Sequence, residues 1–214
     1  SPRTKILMTS NGNKIVDDWV TALAELRHPA VGGKPGKQVQ VVWGVSTQHE
    51  NKVAEGSRPY LLDNVAISPP EGYEAALRPH DMKKLQNFHM KKMDRESRGL
   101  KMAAEEERIY KDLLQKARKN TIDKADVVLL TTTQAGLKFL HKQKWEMVVV
   151  DEAATINEMD MSIVMDLDSN LTVCVGDHKQ LPPRLDATVA KQLQIPSTFE
   201  RLQRTMGCKM LKDV

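Results

Sequence analysis

The hydrophobic positions follow two periods that alternate along the chain. Residues 14–26 repeat apolar side chains at the spacing of a helix, whereas other apolar residues fall in short unbroken runs. These runs are KILMTS (5–10), VQVVWGV (39–45), DVVLL (126–130), MVVV (147–150) and LTVCV (171–175). Because apolar strands separated by helices are typical of a parallel sheet covered on both faces, the pattern predicts an α/β fold.

Residues 82–120 form a second helical region, which is highly charged and free of proline. Its one break is DRESRG (94–99), so we predict two antiparallel helices joined at Gly99. At ~1.5 Å per residue the second helix would be roughly 30 Å long. Its predicted apolar stripe consists of Leu100, Ala103, Ala104, Tyr110, Leu113, Leu114 and Ala117. Residues 50–80 are rich in Pro and Gly and predict loop with short helices.

Polar loops follow three of the predicted strands: TTTQAG (131–136), DEAA (151–154) and GDHKQLPP (176–183). The carboxyl ends of parallel strands meet at one edge of a sheet, where ligands gather, so these loops are candidate sites. Asp151 and Glu152 suit a magnesium–nucleotide site, because a strand fixes the first carboxylate and the second can polarise a water. On this pair alone, an equal alternative is that Asp151 caps the next helix.

The loop GDHKQLPP strengthens the nucleotide interpretation. Gly176 permits a tight exit from the strand, and Asp177 and Gln180 lie three residues apart, close enough to face one site. A Gln amide can donate to a phosphate oxygen and accept from a water, so Gln180 can sense the terminal phosphate. The proline pair stiffens the path away from the site.

Composition sets wider limits. The chain has 214 residues, of which 40% are hydrophobic, and a net charge of +4, which is too small to establish a nucleic-acid partner. Two cysteines argue against a disulfide scaffold, and Cys174 lies in an apolar run, as a small core residue does. No apolar run approaches the ~20 residues of a membrane span and no signal peptide is recognisable. We expect a soluble intracellular protein, cytoplasmic or nuclear.

VVVDEAA followed by VGDHKQLPP resembles motifs II and III of superfamily-one helicases of the nonsense-mediated-decay type. GNKIVDDW (12–19) is similar to their motif Ia, TTTQAG to the loop before motif II, and PSTFERL (196–202) to the segment after motif III. The resemblance implies a RecA-like P-loop NTPase sheet, ATP and Mg²⁺ as cofactors, and an ATP-dependent helicase or translocase as the intact parent.

The resemblance also implies roles for single residues. Asp151 would hold Mg²⁺ and Glu152 would activate water, while Gly176, Asp177 and Gln180 would read the nucleotide. Contacts to a single nucleic-acid strand, with RNA favoured over DNA, would come from Asn13, Thr131, Thr132, Thr133 and Pro182. This chain departs from the family at Ala154, where a hydroxyl is usual, and at Gly12, where the family has Ser.

The phosphate loop of such enzymes is missing from the sequence. VGGKPGKQ (31–38) has Val31 where the first Gly belongs and Gln38 in place of Ser/Thr, and a strand follows it rather than a helix. We therefore expect a fragment of the first RecA-like domain that is monomeric and hydrolyses little or no ATP by itself. The rival interpretation is a natural protein that lost its ATPase.

The predicted helical hairpin is expected to be a subdomain, residues 82–124, inserted between RecA-like parts at residues 1–81 and 125–214. It carries 13 basic and 7 acidic residues, a net charge of +6 that exceeds the excess of the whole chain. Lys83, Lys84, Lys91 and Lys92 are predicted to share one face and to bind the phosphate backbone without reading sequence. The alternative is an ordinary solvated helical surface.

Two other function classes stay open. One is a catalytically inactive module, derived from a helicase, that binds nucleic acid or protein. Protein cofactors are also possible partners of the parent helicase. The other is an unrelated metal-dependent hydrolase that uses Asp151 and Asp177, which would be active without any added segment.

Overall fold

The computed structural model describes residues 4–28, 36–177, 179, 183 and 197–206. Five strands form one sheet in the order β2-β3-β1-β4-β5, and β4 pairs in parallel with both of its neighbours. The strands are β1 (Ile6–Ser10), β2 (Val41–Trp43), β3 (Val127–Thr131), β4 (Trp145–Val150) and β5 (Ser169–Cys174). This parallel sheet with flanking helices confirms the predicted α/β, RecA-like fold class.

The helices fill the segments between the strands. They are α1 (Asn13–Ala24), α2 (Thr47–Glu50), α3 (Leu62–Ile67), α4 (Pro79–Ser97), α5 (Ala104–Lys124), α6 (Thr132–Ala135), α7 (Glu158–Met165) and α8 (Thr198–Met206), with 3-10 helices at Glu55–Tyr60 and Ala153–Thr155. Within the described part of the chain, no helix is long and apolar enough to cross a membrane. The contacts group the chain into two compact units, Ser1–Val16 with Leu129–Val214, and Asp17–Val128.

The first unit is built around β4, whose residues lie between those of β1 and β5. Met147 is in register with Ile6 on one side and with Leu171 on the other. Val148 and Val150 are fully buried, as is Trp145 at the start of the strand. An unbroken apolar run is what such a position requires, since neither face of the strand meets water.

The second unit contains the predicted helical hairpin. Helices α4 and α5 run antiparallel, because the His89 imidazole meets the Tyr110 hydroxyl at 3.0 Å while Asp81, far back along α4, lies 3.6 Å from Lys116, far forward along α5. The turn contains Gly99 with φ +69°, a left-handed conformation that glycine adopts without strain. The sequence-based prediction of two helices broken at this glycine is confirmed.

The predicted apolar stripe of α5 is only partly correct. Tyr110, Leu114 and Ala117 are buried in a cluster with α3 and α4, and Leu113 packs against it. The other predicted members are exposed: Leu100, Ala103 and Ala104. They lie in the turn or at the first residue of α5, before the helix comes alongside α4, so the helical period does not apply to them.

The segment after residue 35 leads to a strand, as expected. The His28 amide donates to the Lys37 carbonyl at 2.8 Å and the Gln38 side chain donates to the Ala24 carbonyl at 2.9 Å. The next element is β2, so no helix N-terminus follows VGGKPGKQ, whose residues 31–35 lie outside the described residues. This arrangement agrees with its rejection as a phosphate loop.

Leu85 tests the packing of the hairpin because it is completely buried in the α3–α4–α5 cluster. Leu85→Ala should lower the free energy of unfolding by about 2–5 kcal/mol, since it removes buried methyl groups and leaves a cavity. Chemical denaturation measures this loss. Met90→Ala, on the same helix but 64% exposed, is the control and should change stability by less than about 0.5 kcal/mol. Equal effects of the two changes would contradict the described packing.

Candidate active site

Asp151 and Glu152 occupy a tight turn immediately after β4. The Asp151 amide donates to the Thr9 carbonyl at 2.9 Å, which continues the β1–β4 ladder one residue past the strand. The Asp151 Oδ1 accepts the Glu152 amide at 2.9 Å. Glu152 has φ +51° and ψ +35°, and among the described residues it is the only non-glycine residue with positive φ. Such a conformation disfavours an L-residue and recurs at functional sites.

The rest of the turn is held from several sides. The Ala153 amide donates to the Val175 carbonyl at 2.8 Å, and the Thr155 hydroxyl donates back to the Glu152 carbonyl at 2.9 Å. Asn11, which follows β1, donates its side-chain amide to the Thr155 carbonyl at 3.2 Å. The two carboxylates are therefore carried by a backbone that neighbouring segments fix.

Helix α8 packs on the same turn, at the 3-10 helix Ala153–Thr155. Its Arg201 guanidinium donates to the Glu158 carboxylate at 2.8 Å, at the start of α7. The PSTFERL segment, which the sequence marked only by resemblance, thus begins a helix that supports the DEAA turn. The Ser197 hydroxyl accepts the Glu200 amide at 3.1 Å and so caps that helix.

The loop after β5 lies directly against the DEAA turn. A Cβ atom added to Gly176 would be 2.9 Å from the Ala154 nitrogen and 3.1 Å from the Ala153 nitrogen, closer than side chains approach backbone. Only glycine therefore allows this contact. Asp177 follows, and its Oδ1 accepts the Lys179 amide at 2.9 Å. Gln180 and Pro182, which the sequence also nominates, lie outside the described residues.

Asp151 does not cap a helix, so that alternative is wrong. The residue before the 3-10 helix is Glu152, and α7 is capped by Asn157, whose side chain accepts the Asp160 amide. Asp151 is partly exposed, and its Oδ2 has no hydrogen-bond partner among the described residues. A hard carboxylate oxygen at the end of a fixed strand suits Mg²⁺, which takes one or two carboxylates and keeps several waters.

No group of three or more His, Cys, Asp or Glu that could hold a metal occurs within the described ranges. Cys174, three residues before Asp177, is half-buried, and burial raises the pKa of its thiol. It suits a packing role, as the sequence predicted, rather than that of a nucleophile.

The hydroxyl and amide side chains named from the sequence follow β3 and β1. The Thr131 hydroxyl donates to Gln134 Oε1 at 3.0 Å, Thr132 is fully buried, and Thr133 is exposed. Asn13 begins α1, and its Oδ1 is buried without a partner among the described residues. Of the three threonines, Thr133 is the one with an exposed side chain.

The strand order separates two kinds of side chain along the carboxyl edge of the sheet. The threonine and asparagine loops follow β3 and β1, whereas the carboxylate loops follow β4 and β5. The sequence pattern missed Asn11, although its place directly after an apolar strand is the same signal that selected Asp151. It also missed Thr9 and Ser10, which are buried with hydroxyls that have no partner among the described residues.

The four lysines of α4 do not all share one face. Lys83, Lys84 and Lys91 line the same surface groove. Lys92 lies elsewhere, with its Nζ 5.4 Å from the centre of the Tyr110 ring and 3.6 Å from Glu96. The face-sharing prediction was therefore wrong for Lys92, because it follows Lys83 by about two and a half helical turns and so lies on the opposite side of α4 from that residue.

Gly176→Ala should destabilise the protein by about 1–3 kcal/mol, because the added methyl group overlaps two backbone nitrogens that cannot move independently. Thermal or denaturant unfolding measures the change. Gly12→Ala is the matched control, since its new Cβ would be 3.9 Å from Ile15 Cδ1, an ordinary contact. If both variants are equally stable, the two loops do not approach as described.

Glu152→Gly should be about 1 kcal/mol more stable than Glu152→Ala, because both lack the carboxylate but only glycine adopts positive φ without strain. The comparison of the two variants removes any effect of the lost charge. Equal denaturation midpoints would show that residue 152 is not left-handed.

Comparison with known proteins places this chain in a family. The profile of the family described as "AAA domain" matches residues 1–188. Regulator of nonsense transcripts 1 homolog from Neurospora crassa is 35% identical over 102 residues, covering 47% of this chain and 9% of that protein. ATP-dependent helicase upf1 from Schizosaccharomyces pombe is 32% identical over 107 residues, covering 50% of this chain and 12% of that protein.

DNA-binding protein SMUBP-2 from Rattus norvegicus aligns over 97% of this chain and 20% of its own length, with 26% identity. The chain thus spans between about a tenth and a fifth of the length of these curated relatives. Because the AAA-domain match covers most of the chain and the relatives include the nonsense-mediated-decay proteins, the chain belongs to the AAA-domain family and is related to superfamily-one helicases of the nonsense-mediated-decay type.

Proposed function

We propose that the protein containing this chain is an ATP-dependent helicase or translocase that moves on single-stranded nucleic acid, with RNA favoured. The observation that carries the proposal is the DEAA turn, in which a strand end, a left-handed Glu152 and the abutting Gly176 hold two carboxylates in one fixed arrangement. Helicase-named relatives support the same activity.

The two carboxylates have separate tasks in this proposal. Asp151 offers Oδ2 as a ligand to Mg²⁺, which would neutralise charge on the phosphates of ATP. Glu152, the next residue along the chain, accepts a proton from the attacking water as a general base. Since Glu152 takes its conformation from a turn bonded to β1 and β5, its position is set before nucleotide binds.

Asp177 and Gln180 are proposed to contact the terminal phosphate of ATP. Their displacement would link the presence of that phosphate to the residues that bind the nucleic-acid strand. The first link is the contact of Gly176 with the DEAA backbone, because a shift of one loop displaces the other. Thr133 and Asn13, from this unit, are proposed to contact the sugar-phosphate backbone of the bound nucleic acid. We propose a cytoplasmic or nuclear site of action, with protein cofactors as further partners.

Nucleotide hydrolysis also needs a phosphate cradle, and the sequence G-x-x-x-x-G-K-[ST] does not occur in these 214 residues. We therefore propose that the chain itself hydrolyses little ATP. Its carboxylates are the water-activating half of a site whose phosphate-binding half comes from another segment of the protein.

In the full-length protein, Glu152→Gln should lower kcat for nucleic-acid-stimulated ATP hydrolysis by at least about 100-fold, while ATP still binds, because only proton abstraction is lost. Asp151→Asn should instead weaken the magnesium-dependent part of ATP binding. Steady-state hydrolysis and equilibrium binding with fluorescent ATP measure the two effects.

Glu158→Gln is the matched control, since Glu158 is a carboxylate at the start of α7 that pairs with Arg201 and has no proposed catalytic task. Full ATPase activity in Glu152→Gln would contradict the proposal. A full-length protein that binds single strands but has no ATPase would identify an inactive module. Metal-dependent hydrolysis by the chain alone, lost in both Asp151→Asn and Asp177→Asn, would identify the unrelated hydrolase.

A further inference from the structure

We propose that a groove along α4 is a nucleobase-binding site, in which an unpaired base stacks on Phe88 while its flanking phosphates meet Lys83, Lys84 and Lys91. The inference rests on the proposed function for its ligand, a single nucleic-acid strand. It goes further by assigning a stacking residue and by predicting that bases, as well as phosphates, are bound.

The groove is a cavity of about 370 Å³ on the surface of the hairpin. It is lined by His80, Lys83, Lys84, Asn87, Phe88 and Lys91. From one helical turn to the next these positions recur every three or four residues, so they form one stripe of the helix. The volume suits a single planar base and its sugar rather than a duplex.

Phe88 has the one benzene-type ring among the lining residues of the groove, which also include the exposed imidazole of His80. The ring is half-buried, because one side packs against the cluster that contains Leu85 and Tyr110. The remaining ring surface faces the groove between the long stems of its neighbours. A ring held by core packing loses little freedom when a base stacks on it, and stacking on an aromatic ring is a sequence-tolerant way to bind single strands.

The charges of the groove fit a phosphate backbone. Lys83 and Lys84 are exposed, and among the described residues neither has an ion-pair partner. Lys91 pairs with Glu106 at the far end of the groove. Most other described cations of the hairpin are paired on the helix surfaces, as Arg98 is with Asp94 and Lys111 with Glu107. Lys83 and Lys84 therefore add two unpaired positive charges to the surface on which the Phe88 ring lies.

Asn87 adds a group with both donor and acceptor character at the centre of the stripe. An exposed amide beside an aromatic ring can bond a base edge without selecting one base strictly. The ring and the amide suit the face and the edge of a base, and the lysines suit the phosphates on either side of it. An acidic peptide would pair with the lysines but would leave the ring and the amide without a matching group.

The test uses the 214-residue chain and fluorescein-labelled single-stranded RNA, without ATP or Mg²⁺, so that it does not depend on Asp151 and Glu152. Phe88→Leu should weaken binding about tenfold and leave the salt dependence unchanged, because it removes stacking and no charge. Phe88→Tyr, which keeps the ring, should bind like the unmodified chain. Thermal melting of each variant separates lost binding from lost folding.

The charge contribution is tested by Lys83→Gln combined with Lys84→Gln. This variant should bind more weakly and lower the slope of log K against log salt by about 1.4, the contribution of two phosphate contacts on a single strand. Lys111→Gln combined with Lys119→Gln, on α5, removes the same charge outside the groove and should change the slope much less.

An abasic oligonucleotide of the same length provides the decisive comparison. Phe88→Leu should have no effect on its affinity, whereas the double lysine variant should still weaken it. The inference is overturned if Phe88→Leu binds base-bearing RNA like the unmodified chain, if the α5 variant matches the α4 variant, or if the chain binds no RNA. It is also overturned if polyglutamate competes as well as RNA does. The effect of Glu152→Gln on ATP hydrolysis tests the proposed function and is independent of these RNA-binding results.

Discussion

The candidate active site depends on a backbone contact between two strand ends. β4 and β5 keep their ladder beyond the last strand residue, since the Val175 amide donates to the Val150 carbonyl and the Ala153 amide donates to the Val175 carbonyl. That continued pairing brings the chain after β5 so near to the DEAA turn that residue 176 has no room for a side chain. The carboxylates of Asp151 and Glu152, and the loop that begins at Asp177, take their places from this contact.

The carboxyl edge of the sheet thereby combines two chemistries in one rigid layer. Carboxylates follow β4 and β5, and hydroxyl and amide groups follow β3 and β1. β1 bonds to the DEAA turn through the Thr9 carbonyl and the Asn11 side chain, so the two halves are joined by hydrogen bonds. Close-packed neighbours transmit small displacements, and this is the physical basis of the proposed link between nucleotide binding and nucleic-acid contacts.

Most of the fold could be predicted from the sequence because its signals are local. A short, mainly apolar run marked every strand, and Gly99 marked the break between α4 and α5. The left-handed conformation of Glu152 was not predictable, because it results from bonds to β1 and β5 that no local pattern encodes. The role of Phe88 was missed for a similar reason, since only packing shows which side of a ring remains accessible.

The site residues were predicted less evenly. Asp151 and Glu152 stand out because acidic residues end an apolar run, and Gly176 because a glycine ends the next. The threonines looked equivalent in sequence, yet capping engages Thr131 and burial encloses Thr132. Lys92 resembled its neighbours until the Tyr110 ring fixed its direction.

The placement of the helical hairpin within the chain has a consequence for how the protein folds. β1 and β4 pair side by side although Ile6 and Met147 are separated by roughly 140 residues of chain. The contacts of α4 with α5 are local and close only short loops, so this pair is expected to form early. Once it has formed, it removes about a third of the loop that must close to join β1 and β4, which lowers the closure cost by only a few tenths of a kcal/mol. The hairpin is therefore expected to order early, while the pairing of the central strands that carry the carboxylates still has to close a long loop.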